Sequence, residues 1–554
     1  MRRPRVNRRL VRIVAGVVGL VVLVAGWRVV QVARDLSAVR EAGARARDAA
    51  SAGDLAGVQG AVRDARGHAL DAEAGTTGRV WAVLQRLPLV GGDARTVATL
   101  AEASARLTAA GLPLVDAVAR ADGRGALGSP SDGLDVAAVA RIAPLLRSAA
   151  GVADSSLADL RSADDDRLGP VASGRENAVA ELGPAVAGLR RAARTAAAAP
   201  TLLGADEERR YLVVVQSNAG VRSLGGYAGS LLEVRVRDGR VVLGRTTTAH
   251  AFDGVRYRGL SAATRRVFDA RTAELTQANR VPGVTEVGRQ WAAMWAARFD
   301  ERVDGVLMLD TVSLGYLVDA VGGVRVDGRT LDGTRFRDLV QAGVYRDPDP
   351  VRQDRLLARA GAAVVLGLRD AGPDAALLEA LRRSLEEERL QWAPQRASVA
   401  AAVPATRLLE PADAAVLVDD TVNRFGSKLG RFLRVEVVPG SCGRATQDAR
   451  VRLTLDRAAG ARSLTPSVTG VARGAAVRLR ADVFVLGPRG GAVRGAGSSV
   501  GRWQGREVRR VSVALAPGAS ITLPVRWRPS GTPPVSRVVL PAPAVPGPAY
   551  RSLC

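Results

Sequence analysis

The alternation of apolar and polar positions divides the chain into four successive regions. Residues 10–33 are apolar almost throughout, whereas residues 34–199 carry apolar side chains at the helical spacing of three and four. Residues 202–427 alternate buried-strand patterns with amphipathic helices, and residues 430–554 form short alternating segments separated by Gly and Pro. The pattern predicts a multidomain protein with a transmembrane helix, an all-α helical stalk, an α/β domain and a C-terminal β-sandwich.

The first apolar segment is long enough, at about 24 residues, to span a bilayer as a helix. Five arginines precede it within residues 1–9, so the positive-inside rule places this basic tail in the cytoplasm and the bulk of the chain outside. A cleaved signal peptide is the alternative, and it exports the same bulk. We therefore expect a single-pass protein of the cell membrane, with its N-terminus cytoplasmic and its bulk extracytoplasmic.

The chain has two cysteines, Cys442 and Cys554, and two histidines, His68 and His250. In an oxidising compartment, two cysteines favour a disulfide over a redox or metal site. Two separate buried thiols are the alternative. So few histidines and cysteines do not assemble a zinc cluster.

A strand, a glycine-rich turn and a second strand open the α/β region. The first strand is the apolar run Tyr211 to Val215, and the pattern resumes from Ser230 to Val236. Because glycine lacks a Cβ, such a turn allows the backbone to approach a ligand closely. The turn contributes four candidate ligand-binding residues: Asn218, Arg222, Gly225 and Gly226.

Three further candidates lie in and just before the helix predicted from about residue 351: Arg346, Arg352 and Arg355. A guanidinium group can donate to two phosphate oxygens at once, so these arginines together with Arg222 are suited to an anionic headgroup. The alternative is that Arg222 and Arg352 form solvated ion pairs with Asp349 or Asp354.

Four segments carry a resemblance to known families: NAGVRSLGGY, VDGVLMLDTVSLGYLVDAVGGV, YRDPDPVRQDRLL and VNRFGSKLGRFLRVEVVPGSCG. Together they resemble an uncharacterised bacterial family, a membrane-anchored domain of unknown function. The segment from about residue 212 to 368 is also distantly similar to the LytR-CpsA-Psr family, whose members transfer glycopolymers from polyprenyl-pyrophosphate carriers to the cell wall.

The second resemblance implies that Arg222, Arg352 and Arg355 hold a pyrophosphate while paired aspartates hold Mg²⁺. Leu224 stands where that family has an acidic metal ligand, which leaves Asp253 as the remaining candidate. Without paired carboxylates, nothing obvious neutralises the charge that develops on a leaving pyrophosphate. We therefore expect binding rather than transfer, and Mg²⁺ only if the chain is a transferase.

Of the 79 basic residues, 78 are arginine, and Lys428 is the only lysine. In the last region Arg450 and Arg452, like Arg526 and Arg528, stand two residues apart and so share a strand face. A basic sheet face suits anionic lipid or cell-wall glycopolymer, although it can also serve only solubility. The compartment and an aromatic content of 4% argue against nucleic acid.

The sequence thus predicts an extracytoplasmic cell-envelope protein that binds or organises anionic glycopolymer or a polyprenyl-phosphate-linked precursor. A glycopolymer phosphotransferase is one alternative. The other is a ligand-free scaffold whose helical stalk contacts a protein partner.

Overall fold

The computed structural model describes residues 8–122, 133–163, 166–371, 375–422, 426–443, 445–530, 534–535 and 537–553, with side chains from residue 26 onward except those of Asp122, Pro350, Asp354, Ala375 and Cys442. The chain divides into two compact units, one within residues 1–127 and 135–200 and the other within residues 128–134 and 201–554. A helical N-terminal region, a mixed α/β middle region and a strand-rich C-terminal region are confirmed.

Six helices lie in the described part of the first unit: α1 (Arg8–Ser51), α2 (Leu55–Thr76), α3 (Arg79–Leu84), α4 (Gly91–Asp122), α5 (Val136–Ser162) and α6 (Gly169–Leu202). Asp54 and Asp135 begin α2 and α5 by accepting hydrogen bonds from free N–H groups of the first turn. Buried alanines such as Ala72 and Ala101 let α1, α2 and α4 approach closely around Trp81. This core of small residues agrees with the all-α region that the helical spacing predicts for residues 34–199.

The predicted membrane span at residues 10–33 lies within α1, and the side chains of its first part are outside the described residues. Among the described residues, one helix, α5, is long and apolar enough to cross a membrane. Its Ala153 and Leu157 pack against Val186 of α6, as the core helix of a bundle also does. The membrane topology therefore stays a prediction.

The middle region contains eight strands and seven α-helices in its described residues. The strands are β1 (Arg209–Ser217), β2 (Tyr227–Arg237), β3 (Arg240–Thr248), β4 (Gly305–Asp310), β5 (Val324–Val326), β6 (Arg329–Leu331), β7 (Leu390–Pro394) and β8 (Ala414–Asp420). The helices are α7 (Ala262–Phe268), α8 (Val284–Phe299), α9 (Thr311–Ala320), α10 (Gly333–Gln341), α11 (Pro350–Ala371), α12 (Ala375–Glu386) and α13 (Ala397–Ala402).

The main sheet of this region has the order β3-β2-β1-β4-β7, with β1 and β4 parallel and the other neighbours antiparallel. Successive residues of β1 face opposite sides. Leu212 and Val214 pack on the side of Trp291 and Trp295 of α8, whose spacing of four residues places both tryptophans on one buried face of the helix. The opposite face of the sheet packs against α9 to α12, so the sheet is covered on both sides.

The C-terminal region adds nine strands and one short helix within its described residues: β9 (Leu433–Cys442), β10 (Gln447–Leu455), α14 (Pro466–Thr469), β11 (Leu479–Leu486), β12 (Ala492–Gly495), β13 (Ser498–Trp503), β14 (Arg506–Leu515), β15 (Ser520–Arg528), β16 (Arg537–Val539) and β17 (Tyr550–Ser552). They form a four-stranded sheet, β12-β15-β10-β9, and, together with β8, a six-stranded sheet, β13-β14-β11-β8-β16-β17. Both sheets contribute side chains to one hydrophobic core that includes Val483, Val451 and Trp527.

Strand β8 joins the middle and C-terminal regions. It pairs with β11 and β16 and is buried along its whole length. Leu417 faces the core that contains α8, whereas Val416 and Val418 face the core between the two C-terminal sheets. The predicted division at residues 427–430 therefore does not coincide with a gap between the two regions. Cys554 and the side chain of Cys442 lie outside the described residues, and their disulfide stays a prediction.

Candidate functional site around Lys428

A cavity of about 340 Å³ lies in the second unit, among β1, β2, α9, α10, α11 and the loop that follows β8. Its apolar lining includes Val215, Leu314, Phe336, Val340 and Leu357. Its polar lining includes Ser217, Tyr227, His250, Tyr345, Gln353 and Lys428. None of the described lining residues is Asp or Glu, so the wall carries cationic and neutral polar groups against an apolar background.

Lys428, the only lysine of the chain, is 7% exposed. Its Nζ lies 4.0 Å from the centroid of the Tyr227 ring and 5.4 Å from that of Tyr345. No carboxylate of the described residues forms an ion pair with it. Burial, assisted by the positive charge of Arg222 and opposed in part by the negative charge of Asp420, lowers the pKa of Lys428 to about 8.

Hydrogen bonds at the end of β8 hold the lysine in place. The Asp420 carboxylate accepts from the backbone N–H of Ser427 at 2.6 Å and from the Ser427 hydroxyl. The backbone N–H of Lys428 donates to the Val468 carbonyl at 2.8 Å. These contacts hold the backbone of Ser427 and Lys428 in place, so the position from which the Lys428 side chain extends to the cavity is fixed.

Gly430 allows the loop to lie directly on the glycine-rich turn. A Cβ at this position would stand 2.8 Å from the carbonyl oxygen of Ala219 and 2.9 Å from the backbone nitrogen of Val221. Backbone atoms cannot move aside as a flexible side chain can, so only glycine fits here. The turn that the sequence singles out thus supports Lys428.

Arg222 lies behind this loop and is 1% exposed. Its Nη1 donates to the carbonyl oxygens of Val221 at 2.9 Å and Asp420 at 3.3 Å. The neighbouring Asp419 accepts from the backbone N–H of Ser223 at 2.9 Å, and burial raises the pKa of Asp419 to about 6. Arg222 therefore belongs to a buried cluster, and it influences the cavity through its charge.

Asn218 is also buried, where it connects the turn to α9. Its Nδ2 donates to the carbonyl of Gly225 at 2.9 Å and to Asp310 Oδ2 at 2.8 Å. Asp310 caps α9 and accepts from Arg389 Nη1 at 2.6 Å. Asn218 therefore takes part in a network that orders the end of β4.

Gly225 and Gly226 adopt φ values of +84° and +135°. A Cβ on Gly226 would lie 2.4 Å from the carbonyl oxygen of Ser217. The two glycines thus allow the turn to pack closely against the protein's own backbone, not against a ligand.

Arg346, Arg352 and Arg355 are all exposed. Arg352 Nε lies 2.8 Å from Asp347 and 3.4 Å from Asp349, which agrees with the ion-pair alternative at this position. Because Arg222 is buried, the predicted arginines do not form one exposed cluster. Helix α11 contributes Gln353 and Leu357 to the cavity instead.

Asp253 lies 3.3 Å from His250 Nδ1. Within the described residues, the group of side chains close enough to hold a metal ion together is Asp35, His68 and Asp71 of the helical unit. Asp253 is not in that group, so a Mg²⁺ site at this residue stays a prediction.

Residues 206–345 match the model of a protein family described as a protein of unknown function (DUF4012). No curated protein matches the chain. The match supports the predicted domain of unknown function, whereas similarity to the LytR-CpsA-Psr family stays a prediction. The matched segment includes β1, β2, α9 and α10, which form much of the cavity wall, but it ends before Lys428.

The sequence points to Lys428 only through its rarity. In a chain that uses arginine for its other 78 basic side chains, one lysine suggests a position where a guanidinium group does not serve. Its burial and its cavity depend on contacts among distant segments, which periodicity does not reveal.

Proposed function

We propose that the second unit binds a small amphipathic anion in the Lys428 cavity. The apolar body of the ligand packs against Phe336, Val340 and Leu357, and its anionic head pairs with Lys428 Nζ. The supporting observation is that the only lysine of the chain is buried beside a cavity whose described lining contains no carboxylate. A buried ammonium group is costly, and the charge of the nearby Asp420 offsets that cost only in part, since the pKa of Lys428 stays lowered. An anionic ligand supplies the remaining counter-charge.

The size of the cavity agrees with this proposal, since small-molecule sites commonly enclose about 300 to 1,000 Å³. A phosphate on an apolar chain, the chemistry of a polyprenyl-phosphate-linked precursor, belongs to the proposed ligand class. We include in the proposal a membrane anchor at residues 10–33 and an extracytoplasmic cell-envelope location for the bulk of the chain.

Binding rather than phosphoryl transfer is favoured because the described cavity wall offers no pair of carboxylates for Mg²⁺. A transferase needs the positive charge of such a metal ion, or of an equivalent group of cationic side chains, at the leaving pyrophosphate. The glycopolymer phosphotransferase is therefore the less favoured alternative. The binding experiment below distinguishes the proposed binding function from a ligand-free scaffold.

The test uses the full chain and farnesyl phosphate as a probe. Lys428 and the α-amino terminus are the only primary amines, so an acylating reagent followed by peptide mass analysis reports on Lys428 alone. We expect farnesyl phosphate to slow acylation of Lys428, whereas uncharged farnesol does not. In calorimetric titration, Lys428→Met weakens binding about 10- to 100-fold, the effect of losing a charged hydrogen bond.

Arg352→Ala is the matched control, because Arg352 is exposed and already paired with Asp347. This variant should bind farnesyl phosphate as the parent chain does. Equal binding by Lys428→Met and the parent chain would overturn the proposal. Absence of binding to the parent chain would favour the scaffold. Mg²⁺-dependent release of farnesyl phosphate from a sugar linked through pyrophosphate to farnesol would favour the transferase.

A further inference from the structure

The outward face of the four-stranded sheet β12-β15-β10-β9 carries exposed arginines on every strand. There are six among the described residues: Arg434, Arg450, Arg452, Arg494, Arg526 and Arg528. Between them the inward positions, such as Val451, Leu453 and Trp527, are buried in the core. We call these six residues the arginine stripe.

The pairing register fixes the first half of the stripe. Arg528 and Arg526 stand two residues apart on β15, and Arg494 of β12 lies directly opposite Arg526. Arg450 of β10 lies opposite Pro524, which is the next outward residue of β15. From Arg526 to Arg450, the stripe therefore passes to the neighbouring strand and also shifts by two residues along the strand direction.

The second half continues in the same direction. Arg452 follows Arg450 on β10, and Arg434 of β9 lies opposite Thr454, the next outward residue after Arg452. The six arginines therefore form a diagonal across all four strands. At about 3.4 Å per residue along a strand and about 4.8 Å between strands, the diagonal is about 29 Å long.

The stripe has little local counter-charge. The same face carries two acids: Asp448, which pairs with Arg526 at 2.5 Å, and Glu436, which lies opposite Arg452 in the register. The remaining five arginines form no ion pair with any described residue. By contrast, exposed arginines elsewhere in this unit, such as Arg359 and Arg382, do pair with acids.

One cross-strand contact adds to the repulsion. Arg494 and Arg526 are direct partners in the sheet, and like charges at opposite positions destabilise a strand pair. Six arginines and two acids leave the face with a net charge of +4. A negatively charged partner relieves this repulsion.

We propose that the arginine stripe binds a linear polyanion with repeated phosphate groups. A line of charge about 29 Å long matches an extended polymer better than the plane of a membrane. The described outward residues of this face include no aromatic ring on which a nucleic-acid base can stack. The inference concerns a separate surface and does not depend on the Lys428 cavity.

The test measures binding of the full chain to fluorescein-labelled inorganic polyphosphate by fluorescence anisotropy as a function of salt concentration. Each neutralised phosphate of a single-stranded polyanion contributes about −0.7 to the slope of log K against log salt. Six contacts predict a slope of about −4, equivalent to about 300-fold weaker binding between about 50 and 200 mM salt.

The double variant Arg450→Thr and Arg452→Thr removes two central charges while retaining side chains suited to a strand. Its slope should fall to about −3, so that affinity drops about 50-fold over the same salt range. The matched control replaces Arg462 and Arg473 by Thr, since both are exposed and lie outside the stripe. It should bind polyphosphate as the parent chain does, and thermal unfolding checks that both variants fold.

Three results would each overturn the inference. One is equal polyphosphate binding by the stripe variant and its control. Another is tighter, stripe-dependent binding to vesicles containing phosphatidylglycerol, which would indicate a membrane surface. The third is tighter, stripe-dependent binding to a single-stranded oligonucleotide of equal charge, which would indicate nucleic acid.

Discussion

Replacing Lys428 by methionine should make the protein more stable at neutral pH while it weakens the proposed ligand binding. Methionine has a similar length and flexibility, so it fills the same space beside Tyr227 without a charge. Lys428 is 7% exposed and forms no ion pair with a described carboxylate, and the charge of Asp420 offsets its burial only in part. The substitution therefore removes a cost that the folded state bears.

The lowered pKa sets the size of the gain. A change from the ordinary value of 10.5 to about 8 corresponds to about 3 kcal/mol of preference for the neutral amine. The contact with the Tyr227 ring offsets about 1 to 2 kcal/mol of this, because a cation over an aromatic face is favourable. The expected net gain in the free energy of unfolding is about 1 to 2 kcal/mol at pH 7.

The pH dependence gives the sharper test. Between about pH 8 and pH 10.5 the unfolded chain binds more protons at this site than the folded chain, so the stability of the parent protein rises with pH. The advantage of Lys428→Met should therefore shrink as the pH is raised from 7 to 10. Urea unfolding followed by tryptophan fluorescence suits the measurement, because five of the seven tryptophans lie in this unit.

Leu357→Met is the control, since it changes the cavity wall without changing its charge. Its effect on stability should be independent of pH. If Lys428→Met destabilises the protein at pH 7, or if its advantage does not change with pH, the ammonium group is not strained in the unliganded fold and the reasoning fails.

Two further predictions concern the support of the site. Arg389→Ala should destabilise the second unit by about 3 to 5 kcal/mol in urea unfolding, because it leaves the fully buried Asp310 without its cationic partner. Replacement of the exposed Arg382 by alanine is the control and should cause no measurable change. Similar effects of the two substitutions would contradict the role of Arg389. Gly430→Ala should cost about 1 to 3 kcal/mol and speed the acylation of Lys428, because the new methyl group pushes the loop off the turn. Gly229→Ala, which lines the cavity at ordinary contact distances, is the control for stability and should leave it unchanged.

Local patterns predict the elements of this fold well. The apolar run of β1, the spacing of Trp291 and Trp295, and the position of Asp310 ahead of α9 each determine a contact within a short segment. Strand β8 shows the limit of such reasoning. Because it is buried on both faces, it has no alternation to show which sheet it joins, and its partners β11 and β16 lie far along the chain.

The candidate sites show the same limit. The position of Arg222 in a glycine-rich turn suggests ligand contact, but its burial depends on Asp419 and Asp420, about 200 residues later. Pairs of arginines two residues apart correctly indicate a shared strand face. Their diagonal arrangement follows only from the register of four strands, which no single segment specifies.

The buried guanidinium of Arg389 donates to the carbonyl oxygens of Pro543, Val545 and Gly547. During synthesis, more than 150 residues must follow Arg389 before these acceptors exist. Asp310 and Glu387 of the middle region pair with the charge of Arg389, but until the C-terminal carbonyls are made, several of its N–H groups lack these acceptors. A chain that stops before Pro543 would therefore lose three acceptors of a buried guanidinium group, and its middle region would be less stable.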